Sequence, residues 1–271
     1  METIIGRETE IRILNECLTS RQAEFLAVYG RRRIGKTFLI REYFGNSFAF
    51  YATGIANTKK SRQLKEFHRA LMKYGSADES VPKDWFDAFA RLEDLLDTDN
   101  IRREYQSGKV IVFLDEMPWM DAPRSDFKQA LEWFWNSYAS ARKDLLFIIC
   151  GSATTWIIDH ILGSTGGLHN RVTRRIHLMP FSLHECELYF QNRGFDISRH
   201  QIIECCMVFG GIPYYLNCLT PRLSLAQNID NLLFSEYGEL KQEFSLLYSS
   251  LYKNQNLILK WSVVSQSTNP A

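Results

Sequence analysis

A glycine, four variable residues and then Gly-Lys-Thr is the spacing that builds a phosphate cradle from backbone amides. Residues 30–37 of this chain read Gly30-Arg31-Arg32-Arg33-Ile34-Gly35-Lys36-Thr37 and meet that pattern at every defined position. The loop N–H groups and the start of the following helix would bind phosphate oxygens, and the two glycines permit the turn and the close approach. Lys36 would reach the β- and γ-phosphates and the Thr37 hydroxyl would hold Mg²⁺. Phe38 follows directly and belongs to the stretch expected to touch the nucleotide. Arg31, Arg32 and Arg33 fill variable positions, where the backbone matters and the side chains are read as free. An ordinary basic loop is the alternative, and the context argues against it. An apolar run, "FLAVY", stands immediately before, and a helical pattern, "TFLIREYF", immediately after.

A cradle of this kind needs a carboxylate for the metal at the end of a neighbouring strand. "KVIVFLDEMPWM" supplies five apolar residues ending in Asp115 and Glu116. Asp115 is expected to hold Mg²⁺, and Glu116 to orient and deprotonate an attacking water. Capping of the next turn is the other use for both. A glutamate beside the metal aspartate selects water as nucleophile, hence hydrolysis. The chain has no Asn-Lys-x-Asp to select guanine, so ATP is favoured over GTP. A further apolar run, "LLFIICGSATTW", ends at Ser152, which is expected near the γ-phosphate; a helix N-cap is its alternative. Arg171, in "GGLHNRVTRRIHL", is the candidate charge-stabilising finger, in cis or from a neighbouring subunit.

These groups require a rigid frame. Short apolar runs at 25–29, 47–52, 110–114, 145–150 and 175–178 alternate with helical patterns at 8–18, 62–74, 84–97 and 127–140. That rhythm predicts an α/β fold, a five-stranded parallel sheet flanked by helices. The strands are nearly continuous apolar runs, as burial on both faces demands; "RIHL" at 175–178 is half polar and the weakest. After Pro180 the strand signal stops. Ser182-x-x-Glu185 opens a helix with a capping-box pattern, and helical sequence continues to about residue 252. The expected organisation is a nucleotide-binding α/β domain over 1–180, a smaller all-helical lid over 181–252 and a short tail over 253–271. Trp133 and Trp135, beside the apolar stripe of the 127–140 helix, are read as core or interface rather than as a base-stacking platform.

Bulk properties bound the function. Net charge is +1, hydrophobic content 45% and charged content 23%, so no global field draws the chain to a polyanion or a membrane surface. The six cysteines form no Cys-x-x-Cys pair or zinc-like spacing and read as reduced thiols. The opening "METIIGRETE" is charged from its second residue, unlike a secretory leader, and the apolar runs are too short to span a bilayer. A cytoplasmic protein without a membrane partner is the expectation.

Four features taken in order, "IIGRETEIRIL", "GRRRIGKT", "IVFLDEMPW" and "GGIPYYL", resemble the prokaryotic AAA-like ATPases of the archaeal-ATPase type, related to the STAND P-loop NTPases. The resemblance covers Ile4 to about Leu251. It implies an ASCE/AAA-like P-loop fold with ATP or ADP and Mg²⁺ as ligands. It also implies that Ile5, Gly6 and Arg7 pack near the adenine, and that Gly211-Ile212-Pro213 closes over the nucleotide. It strengthens the readings of Ser152 and Arg171. Family members continue into a winged-helix region and a further domain, whereas "LYSSLYKNQNLILKWSVVSQSTNPA" starts like that continuation and stops. The chain therefore looks shortened.

The leading expectation is an ATP-binding, Mg²⁺-dependent ATPase with slow turnover, working as a nucleotide switch with a protein partner or a second copy of itself. A nucleic-acid-associated ATPase is the runner-up, from Lys59, Lys60, Arg62, Lys65, Arg69 and Lys73 in one helical stretch. A nucleotide-binding module without hydrolysis is the third reading. A small-molecule kinase is disfavoured by Glu116.

Overall fold

Apolar sequence runs unbroken through the central strands because both of their faces are covered. In the computed structural model, which describes residues 3–163, 168 and 170–243, a first helix α1 (Glu8–Thr19) leads into β1 (Glu24–Tyr29). Then follow α2 (Lys36–Tyr43), β2 (Phe50–Thr53), α3 (Lys60–Lys73), α4 (Trp85–Leu96) and β3 (Val110–Asp115). Helix α5 (Phe127–Ser137), β4 (Leu145–Gly151), α6 (Thr154–Ile157) and β5 (Arg174–His177) complete the sheet layer. Among the described residues four α-helices come after it: α7 (Leu183–Asn192), α8 (Arg199–Phe209), α9 (Pro213–Asn217) and α10 (Leu225–Ile229), the last running on into a π-helical turn, Asp230–Phe234.

The five strands are all parallel, in the order β2-β3-β4-β1-β5. Every residue of β1, β3 and β4 is buried. Alternate side chains serve opposite faces. Phe25, Ala27, Val112, Leu114, Phe147 and Ile149 point to one core with Leu64 and Phe67 of α3, Trp85 and Phe89 of α4, and Leu131 and Phe134 of α5. Leu26, Val28, Ile111, Phe113, Ile148 and Cys150 point to the other, with Leu14 of α1 and Leu39 and Ile40 of α2. The helices after β5 join this second core through Cys186, Phe190, Cys205, Phe209 and Leu216.

The expected strands are all present, with two adjustments at the sheet edges. Strand β2 starts at Phe50 rather than 47, because it pairs with β3 alone; Ala49 N–H still donates to Ile111 O at 2.9 Å. The half-polar β5 is the opposite edge strand, and only Ile176 within it is buried. Trp135 is buried against Phe25, with ring centroids 4.8 Å apart, whereas Trp133 is part-exposed beside Phe86. The capping box at Ser182 and Glu185 forms as the spacing predicts. The tail over 253–271, and the helical reading beyond residue 243, lie outside the described residues. Among the described residues no helix is long and apolar enough to cross a membrane.

Gly211 fixes how the helical segment meets the sheet. Its φ is +63°, and its carbonyl accepts the Phe181 N–H at 2.8 Å. A Cβ there would lie 2.5 Å from Phe181 O. Gly211→Ala is expected to destabilise the fold by about 2 kcal/mol, read as a Tm lower by about 4–8 °C. An unchanged melting curve would show that this junction yields without cost.

Candidate functional site

The phosphate loop leaves the end of β1 and returns into α2. Gly30 takes φ +145°, and a Cβ on it would lie 2.3 Å from Leu178 O; only glycine lets the loop pass that close to the chain after β5. Gly35 is the N-cap of α2, and no side chain among the described residues caps that end. The first N–H groups of α2 are thereby left for an anion. Lys36 is buried and folds back over the loop, Nζ donating to Gly30 O at 3.0 Å and Arg31 O at 2.8 Å. Burial, partly offset by the nearby Glu116 and Asp115, pulls its pKa below that of an ordinary lysine.

Strand β3 brings the two carboxylates to the same edge. Thr37 Oγ1 donates to Asp115 Oδ2 at 2.9 Å, joining the two residues expected to hold the metal. Asp115 is buried, and its Oδ1 accepts the Glu116 N–H at 2.9 Å. Glu116 sits at φ +44°, which turns its side chain out of the strand. Ser152, at the tip of the adjacent β4, donates from Oγ to Glu116 Oε2 at 3.0 Å, with its N–H at 3.4 Å. Its hydroxyl thus goes to the glutamate, and Ala153 is the residue at the N-cap of α6.

A cavity of about 780 Å³ opens over this edge. Thr37, Phe38 and Glu116 line one side of it, and Ile5, Phe181 and Tyr214 are among those lining the other. Its size lies in the range of cofactor sites. Ile34, Gly35, Lys36, Arg7, Arg32, Arg33 and Pro213 border it as well, whereas Gly6, Gly30 and Arg31 do not. Gly6 instead packs on α7, where a Cβ would lie 2.7 Å from Glu185 Cγ. Arg7 is a buried strut. Its N–H donates to Glu185 Oε1 at 3.1 Å, Nη1 to Met179 O at 2.8 Å and Nη2 to Ile34 O at 3.4 Å. Its guanidinium lies 4.6 Å from the Phe181 ring centroid. It ties the N-terminal segment to the phosphate loop and to the chain entering α7.

Two expectations need correction. Arg171 lies on an exposed turn before β5, two residues before Thr173, whose N–H donates to Phe25 O at the start of β1. Because β5 runs parallel to β1, that is the edge of the sheet opposite the phosphate loop. The length of a six-residue strand, about 20 Å, separates the two edges, so Arg171 does not reach the cradle in cis. Arg33, read as free, is held on several sides. Its guanidinium lies 4.4 Å from the Tyr214 ring centroid and 5.7 Å from that of Tyr215, and it forms an ion pair with Glu243.

Tyr51 escaped the sequence reading. Its hydroxyl lies 3.5 Å from Asp115 Oδ2, and the Arg41 guanidinium sits 4.8 Å from its ring centroid. Burial, and next the charge of Asp115, raise the Tyr51 pKa. The available signal was its place near the end of the strand beside β3. The basic face of α3 is partly neutralised: Lys60 pairs with Asp126 at 2.6 Å, and Arg62 and Arg69 each pair with Glu66 at 2.8 Å.

The loop-to-helix cradle, the paired carboxylates on β3 and β4 lying between β3 and β1 define a P-loop ATPase fold. Within that class, the chain belongs to the family described as an ATPase domain predominantly from Archaea, whose model matches residues 4–219. The Walker-type ATPase PABY2304 of Pyrococcus abyssi superposes with a TM-score of 0.59 at 18% identity, over 98% of this chain and 77% of that one. The ORC2 protein of Aeropyrum pernix, solved in ADPNP-ADP complexes, gives 0.55 at 16% identity, over 80% of this chain and 64% of that one. The uncharacterized protein MJECL04 of Methanocaldococcus jannaschii is 26% identical over 212 residues, which are 78% of this chain. The match spans 43% of the length of that relative.

Proposed function

We propose that this chain is an ATP-binding, Mg²⁺-dependent ATPase in which the helical segment after residue 180 acts as a lid, making a nucleotide-controlled switch. The observation that carries the reading is the Thr37 Oγ1–Asp115 Oδ2 contact of 2.9 Å beside the Ser152–Glu116 contact of 3.0 Å. The two pairs of side chains thus stand together at one end of the sheet, and of these Thr37 and Glu116 line the same cavity as Pro213 and Tyr214.

Each group has a task. Loop N–H groups and Lys36 take the phosphates, and Phe38, Ile5 and Arg7 border the remainder of the nucleotide site. One hydroxyl and one carboxylate are hard oxygen donors, the set that Mg²⁺ takes when phosphates and water complete its shell. Bound there, the ion would neutralise charge on the phosphates. Glu116 accepts the proton of the attacking water, and Ser152 fixes the carboxylate for that task. ADP and phosphate are the products. Lys60, Arg62 and Arg69 pair with two acids, Asp126 and Glu66, which weakens but does not remove the basic face of α3 on which the nucleic-acid reading rests.

The test is phosphate release from Mg-ATP by the purified chain, with and without EDTA. Slow release abolished by EDTA is expected. Release unaffected by EDTA would remove the metal from the reading, and no release at any Mg²⁺ concentration would remove the hydrolysis.

A further inference from the structure

Within the phosphate loop, Arg33 is the one non-glycine residue with a left-handed backbone, at φ +69°. That conformation is strained for an L-residue, so its contacts matter. Among the described residues, the partners of its carbonyl and of its guanidinium come from the helical segment. The Arg33 carbonyl accepts the Tyr214 N–H at 3.3 Å. Its guanidinium covers the Tyr214 and Tyr215 rings and pairs with Glu243, and Tyr215 Oη donates to Glu243 Oε1 at 3.2 Å.

The arrangement is equally needed from the other side. Helix α9 begins at Pro213, which has no N–H, so Tyr214 offers the first N–H of the helix. That donor finds its acceptor in the phosphate loop. A flat guanidinium stacks on a ring and pairs with a carboxylate at once, which an ammonium does not do.

We infer that Arg33 is a positioning residue that makes the phosphate loop and α9 a single two-state element, so that nucleotide in the cradle and the docked state of α9 stabilise each other. The inference rests on the ATPase reading and assigns the route by which nucleotide is sensed. Ordering of the loop by a phosphate fixes the Arg33 backbone, which fixes the acceptor for Tyr214 and the platform for Tyr214 and Tyr215. Such coupling is reciprocal: releasing α9 must weaken nucleotide binding by the factor by which nucleotide tightens α9.

The test compares wild type with Arg33→Gly and Glu243→Gln. Glycine adopts the left-handed backbone without strain, so Arg33→Gly removes the latch and not the loop shape. Glu243 lies outside the cavity lining, and Glu243→Gln leaves the charge of Arg33 in place. Mg-ADP affinity is measured by calorimetry, and backbone hydrogen exchange is followed over residues 212–217. Both variants are expected to bind Mg-ADP about tenfold more weakly, the usual scale of a coupling term. Both should also lose the protection that ADP gives to 212–217 in wild type. Wild-type affinity and wild-type protection in Glu243→Gln would overturn the latch, as would ADP binding that protects the phosphate loop and leaves 212–217 unchanged in wild type. A wild-type chain that binds no ADP at all is a different outcome, which sinks the ATPase reading and the latch together.

Discussion

Glu116→Gln is expected to bind Mg-ATP with wild-type affinity and to hydrolyse it about 10²–10⁴ times more slowly, the usual contribution of a general base. Glutamine has the length and planarity of glutamate and tolerates the same turn, here at φ +44°. Its carbonyl oxygen can still accept from Ser152 Oγ, which stands 3.0 Å from Glu116 Oε2. What it lacks is a site for the proton of the attacking water. Binding is spared because Glu116 forms no part of the loop that holds the phosphates, and because Thr37 and Asp115 keep their own contact at 2.9 Å. Ser152→Ala tests the support of the base separately. It frees the carboxylate without removing it, so a loss of about tenfold or somewhat more is expected, from one hydrogen bond to a charged carboxylate of about 1.5–3 kcal/mol. Phosphate release and filter-retained nucleotide measured on the same preparations separate the two steps. Wild-type turnover by Glu116→Gln would show that the base lies elsewhere.

What the sequence could reveal follows from how local each constraint is. The cradle was legible because glycine spacing and a flanking strand and helix are all consecutive in the chain. Asp115, Glu116 and Ser152 were legible because each ends an apolar run that must be a buried strand. Those runs are buried for a reason that sequence also carries, since helices cover both faces of a parallel sheet. Arg171 as a finger in cis failed on direction: standing just before a parallel strand places a residue at the strand's starting end, and phosphate chemistry occupies the other. The anchoring of Arg33, the strut contacts of Arg7 and the place of Tyr51 beside Asp115 were hidden by distance along the chain. The side chains that hold Arg33 come from α9 and beyond it, and those that hold Arg7 come from the chain around α7. No spacing rule links such partners.

Lys36→Met carries the other large expected effect, a loss of nucleotide affinity of at least about 100-fold, the scale of removing a charge-assisted hydrogen bond to phosphate inside a buried site. The ammonium is buried with two carbonyl acceptors, Gly30 O at 3.0 Å and Arg31 O at 2.8 Å, and no carboxylate among the hydrogen-bond partners of Nζ. Burial leaves that charge poorly solvated, and its pKa is lowered accordingly. A phosphate brought into the cradle supplies the anionic hydrogen-bond partner that Nζ does not have among the described residues, so the attraction is stronger here than at an exposed lysine. Methionine fills similar space without charge and leaves the sheet core as it is; the melting curve reports whether that holds. The lowered pKa also fixes the sign of a pH effect. The free protein loses the Lys36 proton at a lower pH than an ordinary lysine would, so affinity for ADP should decline earlier on the alkaline side. In Lys36→Met that alkaline decline should vanish while the low overall affinity remains. Calorimetric titrations across alkaline pH read both. If Lys36→Met instead bound ADP like wild type, with the same pH profile, the backbone N–H groups at the start of α2 would be the whole phosphate site and the buried ammonium only a clasp on the loop.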